Sequence, residues 1–141
     1  IVDDTPAGAT LHYIDAGIDT GDIISQRKVN IEPVDTGETL YRKLEDVSTE
    51  LFRDSWELIS SGSTRRKPQS HGDHVTHRIR DVEKIDCINL DQVYKARDLI
   101  NILRARTFSP NPGAFFRQEG RKIYMQLELL YENELDIQGR E

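Results

Sequence analysis

The stretch Gly8 to Gln26, GATLHYIDAGIDTGDIISQ, constrains this chain more than any other. A short apolar run, Leu11 to Ile14, leads into a turn made of Asp15, Gly17, Asp19, Thr20, Gly21 and Asp22, and apolar residues return at Ile23 and Ile24. Turn chemistry between two apolar runs predicts strand, acidic loop, strand. Carboxylates this close repel and raise one another's pKa, which a mere connector has no reason to tolerate. Glycines at 17 and 21 permit positive φ and close backbone approach, so Asp19 is expected on a tight, presented turn. His12, seven residues upstream of Asp19, can approach that carboxylate across the turn, and such pairs at strand ends serve proton transfer. A surface Asx-rich turn beside a partly buried histidine satisfies the same spacing.

After the loop, Val29 to Ile31 is expected to extend the second strand, which Pro33 ends. Asp35 and Glu38 have capping-box spacing. Leu40, Leu44, Val47, Leu51, Phe52, Trp56 and Ile59 then recur at helical spacing, predicting a long amphipathic helix with Trp56 in the core and Gly62 as its left-handed C-cap. Ser60 to Asp73 has the composition of a linker, with Arg65, Arg66 and Lys67 as a solvated run. His71, His74 and His77 invite a metal reading, but Gly72, Val75 and Thr76 suggest a loop running into a strand, and nothing nearby completes a ligand set. No metal is expected.

Asp91 to Arg106 reads as a second helix, capped by Asp91, with Val93, Ala96, Leu99, Ile100 and Leu103 on one face. Pro110 and Pro112 stop it, Gly113 turns the chain into a strand, and Glu119-Gly120 closes a hairpin. Ile123, Met125, Leu127 and Leu129 alternate as one buried face, and residues 133–141 look featureless.

The charge is −6 overall, yet residues 60–122 carry thirteen bases against seven acids. An acidic chain argues against broad nucleic-acid binding, while local arginines can still hold one diphosphate. No apolar run approaches a membrane span and no signal-peptide pattern is present. The single Cys87, between Ile85 and Ile88, is expected to be a small packed residue in a reducing, cytoplasmic setting. The chain begins at Ile1 and its opening IVDDTPAG reads as the middle of a domain, so a fragment is expected.

The ordered set Gly8-x-Thr10-x-His12, Asp19-x-Gly21-x-Ile23 and Gln26 resembles the second half of the catalytic domain of the folate-dependent formyltransferases. A second stretch, Arg104-Ala105 followed by Pro110-x-Pro112-Gly113-Ala114, is similar to the start of that family's C-terminal region. The resemblance implies an α/β fold: the C-terminal part of a Rossmann-like catalytic domain over residues 1–68, then a linker and a small α+β subdomain with a β-hairpin over 69–141. It implies formyl transfer from 10-formyltetrahydrofolate to a primary amine, with Asp19 from the family's Asn/His/Asp set accepting or relaying the amine proton and His12 assisting. The family's Asn and His would precede Ile1.

By the same resemblance, Ala16, Gly17, Ile18, Asp19 and Gly21 would hold the pterin edge, and a partly dry pocket would raise the Asp19 pKa. Arg104 or Arg106 could bind an acceptor phosphate, although an arginine capping a helix C-terminus fits equally well. A five-stranded barrel of the methionyl-tRNA branch does not fit between Ala114 and Glu141, although truncation at the C-terminus would also account for this. A nucleotide-linked amino sugar is therefore the expected acceptor, with a homodimer through the C-terminal subdomain. Transfer to methionyl-tRNA, or a non-catalytic dimerisation module, are the alternatives.

Overall fold

The computed structural model describes residues 1–69 and 84–135. The histidine series at 71, 74 and 77, the end of the linker at 70–73 and the tail at 136–141 lie outside the described residues. The described chain forms two compact units, one of residues 6–30 and 41–69, the other of residues 1–5, 31–40 and 84–135.

In the first unit, β1 (Ala7–His12) pairs antiparallel with β2 (Ile23–Val29), from Ala7 opposite Val29 to His12 opposite Ile23. The register shifts between Leu11 and His12, a bulge that re-aims the histidine. β1 therefore begins and ends earlier than the apolar run suggests, and Ile14 is exposed on the loop. The second strand stops at Val29 rather than Ile31.

The helix α1 (Gly37–Ser60) buries the stripe containing Leu40, Leu51 and Ser55. Leu51, Ser55 and Leu58 line a cavity of about 400 Å³ together with Ile24, Ser25 and Arg27 of β2. Arg27 reaches back across to Asp54 at 2.8 Å and Glu50 at 3.2 Å. Trp56, expected in the core, is 54% exposed and packs at a tilt against the similarly exposed Phe52, ring centroids 5.5 Å apart. Both lie beside the buried stripe rather than in it, because the 100° step of a helix turns neighbouring positions outward. Gly62, at φ +70°, ends the helix as expected, with its amide on the Ile59 carbonyl and the Ser63 amide on that of Leu58.

The expected linker is in part tied down. Lys67 exchanges both backbone hydrogen bonds with Ile23, and the Arg66 guanidinium sits 3.9 Å above the Tyr13 ring, while Arg65, Arg66 and Lys67 all remain exposed, as a solvated run would be. Backbone pairing and cation–π attraction here outweigh a composition that reads as loop.

In the second unit the cap of α1 lies one residue later than the Asp35/Glu38 spacing suggests. Thr36 and Thr39 exchange side-chain to backbone hydrogen bonds. Asp35 is buried and accepts from the Glu32 amide and the Thr39 hydroxyl, while Glu38 accepts from the Ser109 amide. The second helix, α2 (Ala96–Arg106), starts five residues after Asp91 and leaves Val93 exposed. Asn89 claims the Asp91 amide in an Asx turn, and the Asn89 amide bonds the Tyr94 hydroxyl, which holds that stretch out of a helix.

Gly113, at φ +91°, turns the chain into β3 (Ala114–Gln118), which pairs antiparallel with β4 (Arg121–Met125). Glu119 and Gly120 both have positive φ, as the tight hairpin requires. Ala114 is fully buried and Ile88 nearly so, but Ile123 is exposed, and Met125, Leu127 and Leu129 are half-buried. Cys87 is exposed rather than packed, because its extended segment bridges to Phe115 and turns Ile88 inward instead. A single turn, α3 (Glu132–Leu135), interrupts the stretch expected to be featureless, with Glu134 accepting from the Tyr131 amide.

Candidate active-site loop

The loop between β1 and β2 is built by its own acids. The Tyr13 amide donates to the Asp22 carbonyl at 3.0 Å and closes its neck. Asp15 Oδ1 accepts from the Gly17 amide at 2.9 Å and the Thr20 hydroxyl at 2.6 Å. The Thr20 hydroxyl, then the Gly17 amide and more weakly His12, hold the Asp15 carboxyl below the ordinary value of 3.8. Asp15 is thus an organiser of the turn.

Asp19 stands at the tip with φ +56°, a conformation that side-chain-bearing residues adopt only at a cost. Its Oδ1 lies 3.5 Å from His12 Nε2. His12 Nδ1 is 2.9 Å from the Tyr13 carbonyl, which can only accept, so Nδ1 carries a proton. A neutral His12 would then turn a bare Nε2 toward the carboxylate. The pair is favourable when one proton lies between Nε2 and Oδ1, an arrangement that can take up or release a proton.

The two residues that the sequence pairs are therefore brought together. The Asp19 side chain is 85% exposed, so the partly dry pocket expected around it is not supplied by the described residues. Ala16, Gly17 and Ile18 are exposed beside it, and Ile14 and Ile18 present apolar side chains. Peptide edges next to apolar side chains suit a flat heterocycle. Gly21 is buried, and a Cβ there would come within 1.7 Å of the Tyr13 carbonyl oxygen, so only glycine fits.

Sequence reasoning missed Gln69. Its side-chain amide donates to the carbonyls of Asp19 at 2.9 Å and Gly21 at 2.6 Å. Nothing in the run Arg65 to Gln69 signals this, since it depends on Lys67 pairing with Ile23.

Arg104 and Arg106 belong to the other unit, and both have protein partners. Arg104 donates to the carbonyls of Asp35 at 2.8 Å and Glu32 at 2.7 Å and to Asn101 at 3.2 Å. Arg106 pairs bidentately with Asp86. An acceptor phosphate would have to displace these groups. Among the described residues no group of three or more His, Cys, Asp or Glu is placed to hold a metal ion, and no described helix is long and apolar enough to cross a membrane.

Residues 3–55 match the family model described as formyl transferase, and residues 81–131 match the N-formyltransferase dimerization C-terminal domain. The chain belongs to the formyltransferase family.

Within the family, it is 32% identical over 118 residues to methionyl-tRNA formyltransferase of Koribacter versatilis, covering 84% of this chain and 36% of that protein. It is 31% identical over 131 residues to dTDP-4-amino-4,6-dideoxyglucose formyltransferase of Mycobacterium bovis, covering 92% and 55%. The crystal structure of a 4-N formyltransferase from Francisella tularensis superposes with a TM-score of 0.84 at 33% identity, covering 92% of this chain and 54% of that one. The formyltransferase PseJ from Anoxybacillus kamchatkensis, solved with UDP-4,6-dideoxy-4-formamido-L-AltNAc and tetrahydrofolate, is 43% identical with a TM-score of 0.55, covering 59% and 43%. The chain spans between about a third and a half of the length of the curated relatives it matches.

Proposed function

We propose that this chain is part of an enzyme that transfers a formyl group from 10-formyltetrahydrofolate to the amino group of a nucleotide-linked sugar. The observation that carries the reading is the His12–Asp19 pair on the β1–β2 loop. The relatives acting on, or solved with, nucleotide-linked sugars and tetrahydrofolate support the choice of substrates. In the reaction the amine nitrogen bonds to the formyl carbon, the bond from that carbon to the folate nitrogen breaks, and the one proton that the amine gives up ends on the departing folate nitrogen. Asp19 accepts that proton directly or through water, and His12 Nε2 shares it. The exposed edge from Ala16 to Asp19, with Gly21 behind it, holds the pterin.

Residues 1–68 are the C-terminal part of a Rossmann-like catalytic domain, completed by the family's Asn and His from a preceding segment, which would stabilise the developing oxyanion. Residues 69–141 are a linker and a small C-terminal subdomain through which two copies pair, a reading that the dimerization-domain match supports. The protein works in the cytoplasm, where its folate and sugar-nucleotide substrates are. Arg104 and Arg106 bind acceptor phosphate only if a diphosphate outcompetes Asp86 and the carbonyls they now hold.

The test is formylation by the complete protein of nucleotide-linked amino sugars, with and without Asp19→Asn. Loss of a general base costs about 100-fold or more. A variant within about tenfold of wild type would remove Asp19 from the reaction. The match to a methionyl-tRNA formyltransferase keeps a second acceptor in view. Transfer to tRNA predicts acceptor affinity falling steeply with salt, and transfer to a sugar nucleotide predicts little change.

A further inference from the structure

We propose that Gln69 is a positioning residue for this reaction, acting through the backbone of the loop that presents Asp19. This rests on the formyl-transfer reading only for its kinetic consequence. One side-chain amide bonds the carbonyls of Asp19 and Gly21, two residues apart, at 2.9 and 2.6 Å. Both partners are acceptors, so the NH₂ end of the side chain must face them.

The loop needs such a brace. Asp19 holds a left-handed φ of +56°, a conformation that a residue with a Cβ adopts less readily than glycine. The internal bonds from Asp15 reach only Gly17 and Thr20, leaving the Asp19 and Gly21 peptides to be fixed from outside the turn. Gln69 is itself anchored. Lys67, two residues before it, pairs in both directions with Ile23 at the start of β2, and Pro68 between them fixes one backbone dihedral. The strand that follows the loop thereby holds the residue that clamps the loop.

Acting on backbone carbonyls, Gln69 sets where the Asp19 carboxylate points without touching either substrate. Its removal lets the tip relax, and misplacement of a proton acceptor by about 1 Å costs on the order of 100-fold. The experiment compares the complete protein with Gln69→Ala, Asp19→Asn and the double variant, by steady-state kinetics and by amide hydrogen exchange. Gln69→Ala is expected to lower kcat by about 30- to 100-fold with the KM of the amine within about threefold. In the Asp19→Asn background the same change is expected to cost less than about twofold, since a residue that works only through Asp19 has nothing further to lose. A merely structural role would impose the same penalty in both backgrounds, and that result overturns the proposal.

The exchange arm does not depend on turnover. The Tyr13 and Gly17 amides, which close and brace the loop, are expected to exchange about tenfold faster or more in Gln69→Ala, with α1 amides unchanged. Unchanged loop exchange overturns the proposal. An inactive wild-type protein would strike the functional reading alone, and the exchange arm would then decide Gln69.

Discussion

Gly21→Ala is the sharpest test of how the β1–β2 loop is held. A Cβ at residue 21 would lie 1.7 Å from the Tyr13 carbonyl oxygen and 2.6 Å from its carbon, and side-chain Cβ atoms essentially never come closer than 3.0 Å to another heavy atom. The gap between 1.7 and 3.0 Å requires more than 1 Å of movement, and because the obstacle is backbone no rotamer change relieves it. That same Tyr13 carbonyl accepts the His12 Nδ1 proton, and the Gly21 carbonyl accepts from Gln69. One methyl group therefore disturbs the histidine and the brace under Asp19 together. For the proposed formyl transfer, a shift of this size is expected to lower kcat of the complete protein about 100-fold.

Gly17→Ala is the matched control. Its Cβ would meet the Thr20 hydroxyl at 2.1 Å, but a threonine side chain can rotate away at the loss of its bond to Asp15. The expected loss is no more than about tenfold. Single-turnover rates on both variants, with circular dichroism to verify folding, read the difference. A folded Gly21→Ala enzyme within about threefold of wild type, or a Gly17→Ala enzyme equally impaired, would refute the reasoning.

Further expectations follow from the charged and capping groups. Asp35→Ala deletes a buried acceptor of two hydrogen bonds and is expected to destabilise by about 3 kcal/mol in urea unfolding, while a loss under about 1 kcal/mol would mean that the carboxylate is dispensable. Thr36→Ala removes the helix cap and should cost about 1 kcal/mol; no loss at all would place the cap elsewhere. Asp15 has a depressed folded pKa, so its contribution to loop order is complete above the ordinary value of 3.8 and is lost as pH falls below it, through the folded pKa. NMR titration should find the Asp15 carboxyl below 3.8 in the wild type and moved back toward it in Thr20→Val; a wild-type value at or above 3.8 would contradict the hydrogen-bonded turn.

Local chemistry explains what could be read in advance. Asp19 between two glycines, the left-handed stop at Gly62 and the Glu119-Gly120 hairpin each depend on the conformational freedom of a residue and its near neighbours, and that information lies in a few consecutive letters. The pairing of His12 with Asp19 was legible for the same reason, since both ends belong to one turn.

Partners distant in the sequence were not legible. Gln69 reaches Asp19 across fifty residues because Lys67 pairs with Ile23, and no composition rule distinguishes that segment from a free linker. Trp56 shared a helical spacing with leucines and Cys87 lay between Ile85 and Ile88, yet which face of a helix or extended segment turns inward is settled by what packs against it. Arg104 and Arg106 carried charges suited to phosphate, but the fold offers them carbonyls and Asp86. The sequence by itself determined the turns and the approach of His12 to Asp19, because both are short-range; the Gln69 contacts behind that pair and the side chains left exposed were decided by tertiary structure, which alone brings distant backbone groups within hydrogen-bonding reach.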